Sequence, residues 1–197
     1  MLVDPGPRWA VSGTIWHGEA VLDGAYRVEW RWALFRSLAN LGFATDWRMT
    51  GSGADVAGSA ISSPGRLILE GVSGRADTAL LAALTGDLPF ACDVGLTIEV
   101  PRLAVAGRKS SLEGQVQSDA GHCIALGGGT DMPVPALIMR AARDQAGNTA
   151  ATVAPLAQPR IRLVEGGMAG GRLTVGPTRT GVGLLPFLRN WRIDRSW

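Results

Sequence analysis

The sequence predicts an all-β protein: an elongated, twisted or curved antiparallel sheet, built as an incomplete barrel or a β-sandwich, with one or two short helices. Three observations carry this expectation. Short β-prone runs are cut repeatedly by glycine, which supplies 27 of 197 residues. An Asp23-Gly24 pair separates two such runs, a strong hairpin signal because both residues tolerate the positive φ of a tight turn. No long stretch keeps the 3.6-residue apolar period of an amphipathic helix. Nor do strands alternate with long helical segments, which argues against a doubly wound nucleotide-binding sheet.

Residues 1–8 read as a flexible start to one β-rich domain spanning the whole chain, 1–197. Val11–Trp16 is a first strand and His17-Gly18 a turn. Glu19–Leu22 and Ala25–Trp32 are the arms of a hairpin around Asp23-Gly24. In the second arm Tyr26, Val28, Trp30 and Trp32 share one face while Arg27, Glu29 and Arg31 share the other, the period of a half-buried strand. Ala33–Asn40, with Leu34, Phe35, Leu38 and Leu41 at helical spacing, is a helical turn or a bend. Phe43–Thr50, Asp55–Ile61 and Arg66–Val72 continue a meander through turns at 51–53 and 63–65, its covered face filled by tryptophans. Asp77–Leu84 is a short helix with Ala79, Leu80, Ala83 and Leu84 as its apolar stripe and Gly86 near its C-cap. Strands are expected at Ala91–Val100, Arg102–Ala106, Ser111–Ser118 and His122–Leu126. Residues 127–159 form a crossing region in which 132–143 is either helix or irregular chain. Gln145–Val153 and Gln158–Glu165 make another strand pair and Arg172–Val175 an edge. Leu184–Trp197 is a final strand with Trp191, Ile193 and Trp197 turned inward.

Nineteen basic against seventeen acidic residues leave a net charge of +2, which gives no basis for a nucleic-acid interface over the whole molecule. The stretch 160–197 is locally basic, with seven arginines against Glu165 and Asp194. Its charges are spaced through strands and turns, as on a solvated face, or one touching a partner or lipid headgroups. No apolar run reaches the roughly 18–20 residues of a membrane-spanning helix, and the first residues lack the pattern of a signal peptide. His17 and His122 are the only imidazoles, and both read as turn or packing residues. His122 and Cys123 are neighbours on a strand and so point to opposite faces, which denies them a nucleophile–base geometry. Cys92 and Cys123 are either one disulfide formed in an oxidising compartment or two thiols. Gly127-Gly128-Gly129-Thr130-Asp131 lacks the lysine and spacing of a phosphate loop. The acids are scattered singly, with no calcium loop or glycosidase pair. No catalytic, metal or cofactor-binding set is therefore expected.

The run Ser12-Gly13-Thr14-Ile15-Trp16-His17-Gly18, followed by the Tyr26–Trp32 strand and Leu34, resembles the periplasmic part of the type II secretion system protein N (GspN) family. The resemblance continues through Asp46–Gly58, Gly65–Gly74, Leu80–Leu84 and Gly114–Cys123, about the first two thirds of the chain. It implies a periplasmic domain, with an inner-membrane anchor upstream of residue 1, in a machine that exports folded proteins. On that basis Gly13, Trp16 and Gly18, and similarly Trp30 and Trp32, are structural residues. The implied partners are inner-membrane platform proteins or the outer-membrane secretin, and the implied role is noncatalytic assembly or support. The family is also similar in organisation to AsmA-type and bridge-like proteins. That likeness implies an alternative, the binding of lipid or another hydrophobic ligand along a groove lined by alternating strand positions.

Overall fold

The computed structural model describes residues 9–22, 24–85, 90–107, 109–125 and 131–196. Among the described residues the protein is all-β with three short α-helices, and its main sheet is not closed into a barrel. The strands are β1 (Trp9–Gly13), β2 (His17–Leu22), β3 (Tyr26–Trp32), β4 (Phe43–Gly51), β5 (Ala54–Ser63), β6 (Arg66–Asp77), β7 (Phe90–Asp93), β8 (Gly95–Val105), β9 (Ser111–Ser118), β10 (Gly121–Ala125), β11 (Met132–Val134), β12 (Leu137–Arg143), β13 (Thr149–Pro155), β14 (Val164–Ala169), β15 (Arg172–Pro177) and β16 (Ile193–Ser196). The helices are α1 (Leu34–Asn40), α2 (Thr78–Thr85) and α3 (Arg179–Leu184), with a 3-10 turn at Pro186–Leu188.

Thirteen strands form one antiparallel sheet in the order β1-β2-β3-β4-β5-β6-β8-β9-β12-β13-β14-β15-β16, and β11-β10-β7 form a small second sheet. The main sheet is a meander, each strand pairing with its predecessor in the layer, so local hairpins set most of its register. The two excursions out of the layer, between β6 and β8 and between β9 and β12, supply α2 and the small sheet. The register places the turns at two ends. α1 shares one end with the tips β1–β2, β5–β6, β8–β9 and β12–β13, whereas α2, the small sheet and α3 gather at the other.

Strands β6 and β8 each carry one extra residue at the same level. Ala57 pairs with Ser73 but Ser59 with Glu70, and Glu99 pairs with Gln115 but Arg102 with Glu113. The surplus positions are Gly71, at φ 60°, and Pro101 beside it. A bulge kinks its strand and increases local twist, and two aligned bulges bend the middle of the sheet together. Pro101 is tolerated because a bulge releases the ladder hydrogen bond that proline cannot donate. The sequence reading ends one strand at Val100 and begins another at Arg102; the chain instead runs straight through as β8. The break lies at Val94, which divides Ala91–Val100 between two sheets.

Other expectations change as well. His17-Gly18 opens β2, and the turn lies at Thr14–Trp16, where Thr14 Oγ1 accepts from the amides of Trp16 and His17 at 3.2 and 3.3 Å. Residues 132–143 contain no helix but two strands, β11 and β12. Of Gln158–Glu165 only Val164 and Glu165 are strand, in β14; the rest is turn and irregular chain whose Leu163 is 1% exposed. Arg172–Val175 lies in β15, one strand in from the edge, and Leu184–Trp197 holds the end of α3 and the 3-10 turn before β16. Asp23, Gly86, residues 127–130 and Trp197 lie outside the described residues. No helix among the described residues is long and apolar enough to cross a membrane.

Three buried clusters hold the layers together. Leu22, Tyr26, Ala54, Val56, Ala76 and Leu80 pack α2 onto the first half of the sheet. Cys123, Val134, Leu163, Val164, Leu185 and Leu188 pack the small sheet and the C-terminal turns onto the second half. Ala44, Ile61, Ile68 and Ala104 form a third cluster on the opposite face, flanked by Ala33 at the start of α1.

Candidate functional site

Residues opposite one another in an antiparallel ladder point to the same side, so the register sorts every side chain to a face. On one face β3 presents Tyr26, Val28, Trp30 and Trp32, and β4 Phe43, Thr45, Trp47 and Met49. β8 presents Leu96, Ile98, Val100, Leu103 and Val105, opposite Ser118, Val116 and Leu112 of β9. From β3 to β9 this face carries no charged residue among the described positions. The opposite face is ionic. Arg48 forks onto Asp55 at 2.8 and 2.6 Å, and Arg102 meets Glu70 at 2.9 Å. The guanidinium beside Asp55 holds its carboxyl below the usual range, as Arg172 does for Asp194.

Such alternation normally accompanies burial of the apolar side. Here α2, the small sheet and the C-terminal turns lie over its helix-rich end, and the rest stays half-buried or exposed: Leu67 and Val105, paired on β6 and β8, are each 42% exposed. The sheet therefore leaves much of its apolar face in water, which marks interaction surfaces in folded proteins.

Under the small sheet the face deepens into a cavity of about 240 Å³, lined from alternating positions by Leu96, Val116, Met139 and Val153, and closed by Phe90, Leu163, Leu185 and Trp191. Cys92 and Cys123 line its roof and are joined by a disulfide, facing each other in the β7–β10 ladder. A polar depression of about 610 Å³ lies at β2–β4, edged by His17, Glu19, Glu29, Arg31, Asp46 and Arg48. Three of its charges are paired with residues outside it: Arg27 reaches Glu19 at 2.5 Å, Arg36 reaches Asp46 at 3.1 Å and Arg48 reaches Asp55 at 2.6 Å.

The residues of the opening sequence pattern form one packed unit. Trp30 donates its indole N–H to the Thr14 carbonyl at 3.1 Å. Gly18 lies under that ring, where a Cβ would come within 2.4 Å of Trp30 Cζ2, and Gly13 has φ 97° against the Gly18 backbone. Trp16 stacks tilted on Trp32 with centroids 4.4 Å apart. His17 and His122 are both exposed and stand on different sheets. No cluster of three metal-ligating side chains occurs among the described residues. The sequence reading missed the continuity of the apolar face, although the alternation Leu96, Ile98, Val100 was available as a signal. No family model, curated protein or solved structure matches the chain.

Proposed function

We propose that the chain is a noncatalytic periplasmic component of a type II secretion system, giving assembly or structural support between inner-membrane platform proteins and the outer-membrane secretin. The observation that carries this reading is the uncovered part of the apolar face, which from β3 to β9 carries no charged residue among the described positions, a surface suited to being filled by another protein. The packed unit of Gly13, Trp16, Gly18, Trp30 and Trp32 supports the resemblance on which the cellular role rests. The Cys92–Cys123 disulfide is in keeping with an oxidising compartment. Photo-crosslinkers at Val28, Val100 and Val105, installed in the protein expressed in intact cells, test it. Capture of platform or secretin subunits is expected; repeated recovery of no secretion component overturns it.

A second reading is favoured by the cavity. Its apolar lining, closed over by the small sheet and continuous with the open face, suits an acyl chain or another hydrophobic ligand. Native mass spectrometry after gentle purification tests this reading: a retained lipid mass supports it, and an empty protein that also fails to take up a fluorescent fatty acid removes it.

A further inference from the structure

The helix α1 displays its apolar side to solvent. Leu34, Phe35, Leu38 and Leu41 are 43%, 85%, 66% and 91% exposed. At 3.6 residues per turn Leu34, Phe35 and Leu38 share one arc, turned away from the side that Ser37 and Arg36 fix to the sheet, and Leu41 follows them at the C-cap. Ser37 Oγ accepts from Trp32 Nε1 at 2.8 Å and from the Ala44 amide at 2.9 Å, and Arg36 binds Asp46 and Ser59. Leu41 is the one described non-glycine residue with positive φ, at 48°. A glycine or asparagine would close the helix there more cheaply, by about 1–2 kcal/mol, so the fold accepts a conformational cost to present an exposed leucine. Beside α1, the β1–β2 tip carries Ile15 at 64% and Trp16 at 48% exposure, tied to the helix base by the Trp16–Trp32 stack.

We propose that this rim, Ile15, Trp16 and the α1 leucines and phenylalanine, inserts into the surface of a bilayer bearing anionic headgroups. The charge at this end of the sheet argues for a membrane. Arg66 and Lys109, at the adjoining β5–β6 and β8–β9 tips, hold no ion pair among the described residues, whereas the acids there are already engaged. Asp46 is paired with Arg36 and Glu113 with Arg143, while Asp144, which accepts from the Asn148 amide and keeps its charge, stands at the more distant β12–β13 tip. Apolar side chains flanked by unneutralised cations match an acyl boundary beneath anionic phosphates. Trp16 has the amphipathic ring that favours that boundary. The inference stands on α1 and its neighbours and does not need the secretion reading.

Vesicle flotation with the purified full chain is the test, using phosphatidylcholine vesicles with and without phosphatidylglycerol. Binding to the anionic vesicles is expected. The Phe35→Ser, Leu41→Gly pair should weaken it at least about tenfold. Arg66→Gln and Lys109→Gln should each weaken it about fivefold at low salt, with little effect on neutral vesicles. Leu41→Gly alone relieves the positive φ, so its thermal melt should not fall, which separates lost insertion from lost folding. No flotation of the unaltered protein overturns the proposal, as does flotation indifferent to Phe35 and Leu41. Light scattering that shows a dimer broken by the same variants, without vesicle binding, assigns the rim to a second copy and also overturns it.

Discussion

Two glycines of one hairpin show how differently the same residue type is constrained. At Gly18 a Cβ would meet the Trp30 ring at 2.4 Å and the Ser12 carbonyl oxygen at 2.6 Å, while at Gly24, with φ 72°, it would meet nothing within 4 Å. Gly18→Ala must therefore displace a packed indole and should cost about 1–3 kcal/mol. Gly24→Ala should cost only the backbone term, about 1 kcal/mol. Urea denaturation of the two variants checks the order, and equal losses would mean that Trp30 is not held as the structure shows. Tyr26 offers a second test because it is the only tyrosine. Burial raises its pKa above 10, helped by the charge of Asp77 and by the bond its hydroxyl donates to Asp77 Oδ1 at 3.3 Å. A folded pKa above the unfolded one gives stability that is complete below about pH 10 and lost as pH rises through the folded value. Ultraviolet titration should therefore place the phenol above a free tyrosine. Tyr26→Phe should lose about 1 kcal/mol at neutral pH and lack that alkaline limb.

Among the elements, the small sheet owes most to a covalent tie. Its three strands total twelve residues, too few to hold a separate sheet by packing alone, and the disulfide closes a separation of 31 residues between β7 and β10. Loop-closure entropy for that span predicts a loss of about 3–4 kcal/mol for Cys92→Ser with Cys123→Ser. Because these strands roof the cavity, the same variant should admit an apolar dye more readily than the oxidised protein. Calorimetry and dye fluorescence check the two effects, and an unchanged melting temperature would show that burial of Val134 and Phe90 suffices. The hairpins were legible in the sequence because turn and strand signals there are local: Gly24 sits in the turn at φ 72° and Tyr26–Trp32 alternates cleanly. The excursions were not legible, since tertiary packing fixes them. α3 is Arg-Thr-Gly-Val-Gly-Leu, a poor helix by propensity. It forms because Thr178 caps it, accepting from the Gly181 amide at 3.0 Å, and because only glycine fits at position 181 against the Leu163 carbonyl. The Thr178 cap was the available signal. Pro101 misled in the other direction, because a bulge is a pairing property invisible in one strand's residues.

At the scale of the whole molecule, the question is whether the apolar face acts as one surface or as two. Its half-buried residues form a strip from β3 to β13, but only the stretch under the small sheet deepens into a roofed cavity. Val116 sits in the cavity lining on β9 and Val28 lies five strands away in the ladder on β3; both are half-buried. A lysine at either site can extend its ammonium toward water while its stem covers apolar neighbours, so each substitution should cost the fold only about 1–2 kcal/mol. A charge in the path of a bound acyl chain is different, because the ligand must desolvate it. If a hydrophobic ligand occupies the cavity alone, Val116→Lys should weaken fatty-acid uptake at least about tenfold and Val28→Lys should leave it unchanged. Equal losses at both positions would mean that the ligand lies along the whole strip. If instead the strip is a protein-docking surface, uptake should be indifferent to both lysines. Crosslinking to secretion partners should then fall most at Val28, where the face is open and no element of the chain itself competes for it.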